Sequence, residues 1–295
     1  MNPKERGFLL LSGKLGDSNR KPLTTAQLRL LAQRASLLPK PEDDSQLDGS
    51  HLQSIGIDQR MSTQVLNLLE DERQLDAYLS LAERFGCSAV TRASEQYPQL
   101  LRKRLGNDAP GCLWLRGDGD ILRLPAIALV GSRNLATENR AFAREVGIQA
   151  ARQGYVLVSG NARGADSVAQ AACLEAGGQV ISIVADSLLE HSPHDRILYV
   201  SEEGFDEPFS TFRALHRNHL IHCLGAVTFV AQCTLEKGGT WQGTAQNLRK
   251  RWSPVFCLGD GSDGALALQK MGATLIDCQE LRDFSLLSDF QLSLF

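Results

Sequence analysis

Residues 126–166 hold the feature that most restricts the fold. Two short, unbroken apolar runs each empty into a glycine turn and then a helical stretch. Ile127-Ala128-Leu129-Val130 leads into Gly131-Ser132-Arg133-Asn134, and Tyr155-Val156-Leu157-Val158 leads into Ser159-Gly160-Asn161-Ala162-Arg163-Gly164-Ala165-Asp166. Continuous rather than alternating apolar residues mark strands buried on both faces of a parallel sheet. Glycine at a strand exit lets backbone N–H groups approach a ligand closely. The helix N-terminus behind it favours an anion. Each turn also carries an arginine, so two such turns side by side predict a phosphate cradle.

The alternation of strand and helix continues to residue 276. Strands are predicted at 127–130, 155–158, 179–184, 198–201, 226–231, 254–258 and 273–276, with helices at 137–153, 166–176, 211–224, 240–249 and 264–271. This is the pattern of an α/β fold, an extended Rossmann-like, doubly wound and mostly parallel sheet that takes ligands at the carboxyl ends of its strands. Residues 1–85 read as a small helical domain. Thr24-Thr25 caps a helix over 26–38, and helices are expected at 50–57, 62–69 and 71–85, with a polar connector at 39–45. A sharper reading of this domain is a sterile-alpha-motif or helix-hairpin-helix module that helps grip DNA. Residues 86–277 form the sheet domain, opened by short strands near 89–91 and 113–115 and by a helix after Tyr97-Pro98. Residues 278–295 form a C-terminal tail, helical at 279–284.

Composition sets outer bounds. The 295 residues carry a net charge of −3, so any affinity for nucleic acid has to come from a local basic patch. No apolar run approaches the roughly 20 residues of a membrane span, and the run at 8–11 is too short for a signal-peptide core. Seven scattered cysteines without a C-x-x-C pair argue against zinc and for free thiols in a reducing cytosol. A cytoplasmic protein without membrane association is expected.

Two further segments carry candidate chemistry. Arg217-Asn218 lies among His216, His219 and His222. Three-residue spacing invites a metal reading, but each step turns about 300° around a helix and no acidic or cysteine partner follows in sequence. These histidines are read as solvated or base-stacking, and no metal site is expected. Glu236-Lys237-Gly238-Gly239-Thr240-Trp241 follows a strand and opens a helix. Lys237 adds a cation, and Trp241 either stacks on a base or packs against the sheet. No dinucleotide fingerprint or Walker lysine motif is present, and no general acid/base pair is evident. A binding protein without cofactor, not an enzyme, is expected. The phosphate-binding set is Gly131, Ser132, Arg133, Ser159, Gly160, Arg163, Gly164, Arg217, Asn218, Lys237, Gly238, Gly239 and Thr240.

In order, Gly131-Ser132-Arg133, Ser159-Gly160-x-Ala162-Arg163-Gly164-x-Asp166, Arg217-Asn218 and a glycine-rich helix start with Thr240 resemble the DNA-processing protein A (Smf) family. Tyr97-Pro98, Leu101, Pro110 and Gly117 resemble that family's approach to the sheet. The resemblance implies an extended Rossmann domain that binds single-stranded DNA and delivers it to the RecA recombinase during uptake of transforming DNA. It also implies a homodimer, and DNA contacts from Arg133, Arg163, Arg217 and the turn at 237–240. The chain departs from the family pattern at several places. Asn161 stands for Leu, Ala165 for Ile, Gln170 near the place of a His, and His219 for the second Arg of Arg-Asn-Arg. Residues 237–241 replace a Ser-Gly-Ser turn, and no winged-helix segment follows the sheet. A divergent member, acting in recombination, repair or DNA uptake, is expected.

The last five residues, Gln291, Leu292, Ser293, Leu294 and Phe295, resemble the bacterial sliding-clamp binding pentapeptide. Gln291 offers an amide to a polar subsite while Leu292, Leu294 and Phe295 fill an apolar groove. The expected partners are therefore single-stranded DNA, the DNA polymerase sliding clamp (beta subunit) and RecA. The alternative is a nucleotide-sensing Rossmann module similar to the cytokinin-activating (LOG) proteins. Of their Pro-Gly-Gly-x-Gly-Thr-x-x-x-Glu run this chain has Gly238-Gly239-Thr240 but neither the Pro nor the Glu; Gln246 lies in that neighbourhood.

Overall fold

The structure, a computed structural model, describes residues 1–37 and 47–287. The connector predicted at 39–45 and the five C-terminal residues 291–295 lie outside the described residues. Among the described residues nine strands form one sheet. They are β1 (Cys87–Thr91), β2 (Cys112–Arg116), β3 (Ala126–Val130), β4 (Val156–Ser159), β5 (Val180–Ile183), β6 (Ile197–Ser201), β7 (Thr228–Val230), β8 (Val255–Leu258) and β9 (Thr274–Ile276). Their order is β1-β2-β6-β5-β4-β3-β7-β8-β9. The pairings β1–β2 and β2–β6 are antiparallel, and the rest are parallel. Each strand predicted from an apolar run is present, with ends shifted by a residue or two.

Helices cover both faces. In chain order they are α1 (Pro3–Ser12), α2 (Thr25–Ala35), α3 (Gly49–Ser54), α4 (Gln59–Glu70), α5 (Glu72–Arg84), α6 (Gln99–Leu105), α7 (Thr137–Arg152), α8 (Ala165–Glu175), α9 (Thr211–His216), α10 (Asn218–Leu224), α11 (Gly238–Lys250) and α12 (Asp263–Lys270). β3 shows why its sequence is continuously apolar. Ile127 and Leu129 join Phe142 and Val146 of α7 and Ala169 and Cys173 of α8 on one face. Ala128 and Val130 join Leu220 and Ile221 of α10 and Leu268 of α12 on the other. Alternate residues of a strand point to opposite faces, so both sets must be apolar when both faces are covered.

The order β4-β3-β7 makes β3 the switch point of the sheet. From β3 the chain winds outward through β4, β5 and β6, then returns along α9 and α10 to start again at β7 on the other flank. Ligands of open α/β sheets bind at such a reversal, beyond the carboxyl ends of the strands. The return path departs from expectation: the helix predicted over 211–224 is broken at Arg217, between α9 and α10. The tail predicted as a helix at 279–284 consists of two 3-10 turns, Glu280–Arg282 and Phe284–Leu286. The second buries Phe284 against Phe229, ring centroids 5.2 Å apart.

At the N-terminal end, α1 starts from a reciprocal cap between Asn2 and Glu5. Leu9 and Leu10 of α1 and Leu75, Tyr78 and Ala82 of α5 share one apolar cluster with Cys87 of β1, Cys112 and Trp114 of β2 and Phe205. The helices thus rest on the antiparallel edge of the sheet. A separate cluster of Leu23, Leu52, Ile57, Met61, Val65 and Leu68 holds α3 and α4 together. Buried Arg20 ties the two clusters, donating to the Leu10, Gly13 and Leu68 carbonyls at 2.7–3.1 Å. Among the described residues no helix is long and apolar enough to cross a membrane.

Candidate functional site

The glycine turns after β3 and β4 are interlocked. A Cβ on Gly131 would lie 2.4 Å from the Ala165 Cβ, and one on Gly164, whose φ is +97°, would lie 2.4 Å from the Arg133 carbonyl oxygen. Only glycine tolerates that approach and that backbone angle. Between the turns, the Ala165 N–H donates to the Ser132 carbonyl at 3.2 Å. The third strand exit joins them. Ser132 donates to the Gln232 carbonyl through its N–H at 2.9 Å and through Oγ at 3.2 Å. Thr240 Oγ1 donates to the Gly131 carbonyl at 2.9 Å. The hydroxyls predicted to donate to phosphate therefore bond the turns to one another. Ser159 is turned inward; its fully buried hydroxyl accepts from Gln170 Nε2 at 2.6 Å.

Above these turns lies a cleft. One lobe, about 550 Å³, is lined by Gly131–Arg133, Asp166, Arg217, Asn218 and residues 237–240. The next, about 420 Å³, shares Arg133, Ala162 and Arg217 with it and adds Gly160, Arg163 and Asp186. A shallower depression of about 230 Å³ continues past Arg133 and Arg163 to Arg140. Lys237, Arg217, Arg133, Arg163 and Arg140 thus follow one another along a continuous path. Arg133, Arg163 and Lys237 are exposed. The first turn of α11 has no side-chain cap, and its Gly238, Gly239 and Thr240 face the first lobe. Uncapped first-turn N–H groups are anion donors.

Arg217 is the unusual member. Its residue is 8% exposed, yet its Nε and Nη1 have no hydrogen-bond partner among the described residues. The guanidinium lies so close over Gly160 that a Cβ there would be 1.7 Å from Nη1. Burial pulls the guanidinium below its ordinary pKa, against the attraction of Asp166 and Asp186. Burial likewise raises the Asp166 carboxyl, against the pull of Arg217 and the N–H groups around it. Desolvation wins at both ends, so neither charge satisfies the other. Asp166 instead closes its own turn, accepting from the Ala162 N–H at 3.2 Å. Each orphaned buried donor is unfavourable by about 1–3 kcal/mol. Arg217 nevertheless lines both main lobes of the cleft.

The structure therefore gathers Gly131, Arg133, Gly160, Arg163, Gly164, Arg217 and residues 237–240 around one cleft. Asn218 is partly spent, since Nδ2 donates to the Gly239 carbonyl at 3.2 Å and fixes α10 to the start of α11. Residues that sequence reasoning missed include Arg140 of α7, which lines the depression shared with Arg133 and Arg163, and the exposed Phe209, which lines both main lobes. Three phenylalanines in the charged stretch 202–212 were the available signal; Phe205 is buried, while Phe209 and Phe212 are exposed. The histidines part company. His222 is buried beside Thr228 and Asn247, and burial pushes its pKa down to about 3. His216 and His219 both face Glu202, the acidic neighbour that the local sequence lacked.

Residues 88–285 match the family model of DNA recombination-mediator protein A. Protein Smf of Escherichia coli is 28% identical over 249 residues, covering 79% of this chain and 65% of that protein. DNA processing protein DprA of Streptococcus pneumoniae is 32% identical over 184 residues, covering 57% and 64%. The chain thus spans just under two thirds of the length of these relatives. An X-ray structure of DNA processing protein A from Streptococcus pneumoniae aligns with a TM-score of 0.71 at 25% identity, over 91% of this chain and 94% of that one. The Helicobacter pylori protein, whose structure concerns its single-stranded DNA binding mode, shares the fold at a TM-score of 0.55 and 23% identity, over 66% of this chain and 94% of that one. The matched segment is more than half of the chain and contains every strand-exit turn of the cleft, and the chain belongs to the DNA recombination-mediator protein A (DprA/Smf) family.

Proposed function

We propose that this protein binds single-stranded DNA along the cleft over β3, β4 and β7, acting as a binding protein in DNA processing. The observation that carries this reading is Arg217, a buried guanidinium that lines both lobes and whose Nε and Nη1 have no partner among the described residues. Phosphates would sit on Arg217 and the first turn of α11, then pass Arg133, Arg163 and Arg140. Phe209 offers a ring on which a base stacks between them. The length of the path favours a strand over one nucleotide. The H. pylori relative's single-stranded DNA binding mode agrees with this reading. On the same reading the bound strand is passed to RecA, the protein pairs with a second copy, and residues 291–295 tether it to the sliding clamp.

Arg133→Ala combined with Arg163→Ala tests the cleft. Both side chains are exposed, so the fold should melt as in the wild type while affinity for a labelled single-stranded oligonucleotide falls sharply. Undiminished binding would place the DNA elsewhere. Deleting residues 291–295 should abolish co-elution with the clamp and leave DNA binding intact; a truncated protein that still co-elutes refutes the tether.

A further inference from the structure

We propose that Glu202, His216 and His219 form a binding site for a divalent transition-metal ion of the zinc class, at the joint between α9 and α10. Glu202 follows the end of β6, His216 closes α9, and His219 lies in the first turn of α10. Glu202 Oε2 is 3.3 Å from His216 Nδ1, and Oε1 is 3.8 Å from His219 Nε2. All three ligand atoms lie within 4.8 Å of one another. Metal–ligand bonds of about 2.0–2.1 Å in a tetrahedron place ligand atoms about 3.4 Å apart, so both Glu202–His separations are already near that spacing and the widest, up to 4.8 Å, closes by side-chain movement of about 1 Å.

The second observation is the tautomer of His219. Its Nδ1 is hydrogen bonded to the His216 carbonyl, and a carbonyl only accepts, so Nδ1 carries the proton. Nε2 thus points at the Glu202 carboxylate, 3.8 Å away, and is the ring nitrogen available to ligate an ion. Ligating histidines are commonly fixed in this way, by donation of the other ring N–H to a carbonyl. Two imidazoles and one carboxylate suit zinc-class ions and reject magnesium and calcium, which prefer oxygen ligands. Among the described residues three protein ligands meet here, so a fourth position is left for water or another oxygen ligand. His216 and Glu202 open onto the groove beside exposed Phe212.

The ion would join β6 to the joint whose central residue is Arg217, fixing the backbone that aims its guanidinium. The site itself stands whether or not the cleft binds DNA. The test uses the full chain after chelator dialysis, titrated with ZnCl2 by calorimetry and with CoCl2 by visible absorption. The expected result is one Zn2+ per chain, cobalt d–d bands without a thiolate charge-transfer band, and no response to MgCl2 or CaCl2. His216→Ala and His219→Ala should each weaken Zn2+ binding by more than the roughly 10–100-fold typical of outer-shell changes and remove the cobalt bands. The His216 side chain is 46% exposed, so its alanine variant keeps the fold and decides the matter even where the His219 variant does not fold. Wild-type Zn2+ affinity in His216→Ala, a thiolate band from the cysteines, or no binding by the wild type below millimolar zinc would each overturn the proposal.

Discussion

Replacing Arg217 with methionine separates a binding role from a structural one, because the two predict opposite signs for stability. The guanidinium is buried, and Nε and Nη1 have no partner among the described residues, an arrangement unfavourable by about 1–3 kcal/mol for each orphaned donor. Methionine fills much of the space over Gly160 without burying a charge. Against that gain stands Asp166, which loses the cation that attracts it and takes up a proton more readily. The net expectation for Arg217→Met is stability unchanged or raised by about 1 kcal/mol, a shift of about 2 °C in melting temperature. Binding moves the other way. A hydrogen bond to a charged group is worth about 1.5–3 kcal/mol, so loss of the Arg217 contact weakens affinity roughly 10–150-fold. Fluorescence anisotropy of a labelled single-stranded oligonucleotide at fixed low salt, beside a thermal melt, reads both quantities. Affinity within twofold of wild type refutes the reasoning. So does a variant that loses stability and affinity together, which would make Arg217 a strut.

The glycines under the cleft give matched predictions. Gly160→Ala puts a Cβ 1.7 Å from Arg217 Nη1, so it should expel the guanidinium and copy the affinity loss of Arg217→Met in the same anisotropy assay. Gly164→Ala combines a φ of +97° with backbone oxygens at 2.4 and 2.5 Å; denaturant unfolding should show a loss of at least about 2 kcal/mol. His222 predicts an acid limb. Its folded pKa is depressed to about 3 by burial, so its contribution is fully present above the unfolded value near 6.5 and is lost as pH falls from there toward 3. The loss is about 1.4 kcal/mol per pH unit, and urea titrations between pH 7 and 4 should show a shallower fall in His222→Gln than in the wild type.

The sheet was legible because strands covered on both faces leave few polar positions. Residues 127–130 and 155–158 could be read without knowing what covers them, and β3 and β4 lie there. The glycine-arginine turns were legible for a related reason, since Gly131, Gly160 and Gly164 stand where a side chain would collide. The hydroxyls were not. Ser132 and Thr240 looked like phosphate donors, but the carbonyls they serve belong to Gln232 and Gly131, and those pairings exist only once three strand exits converge. The break at Arg217 left no mark either, because His216-Arg217-Asn218-His219 contains no glycine or proline. Glu202 meets its histidines from 14 residues upstream of His216, across a loop whose path no periodicity describes.

The salt dependence of oligonucleotide binding tests the central claim most directly. Five cations line the path through the cleft, Lys237, Arg217, Arg133, Arg163 and Arg140, and each phosphate neutralised in a single strand contributes about −0.7 to the slope of log K against log salt. The account predicts tight binding at low salt, a slope of about −3.5 in the wild type, and one shallower by about 1.4 when Arg133 and Arg163 are both alanine. No binding at low salt, a slope near zero, or stabilisation by a mononucleotide equal to that by the oligonucleotide would contradict it.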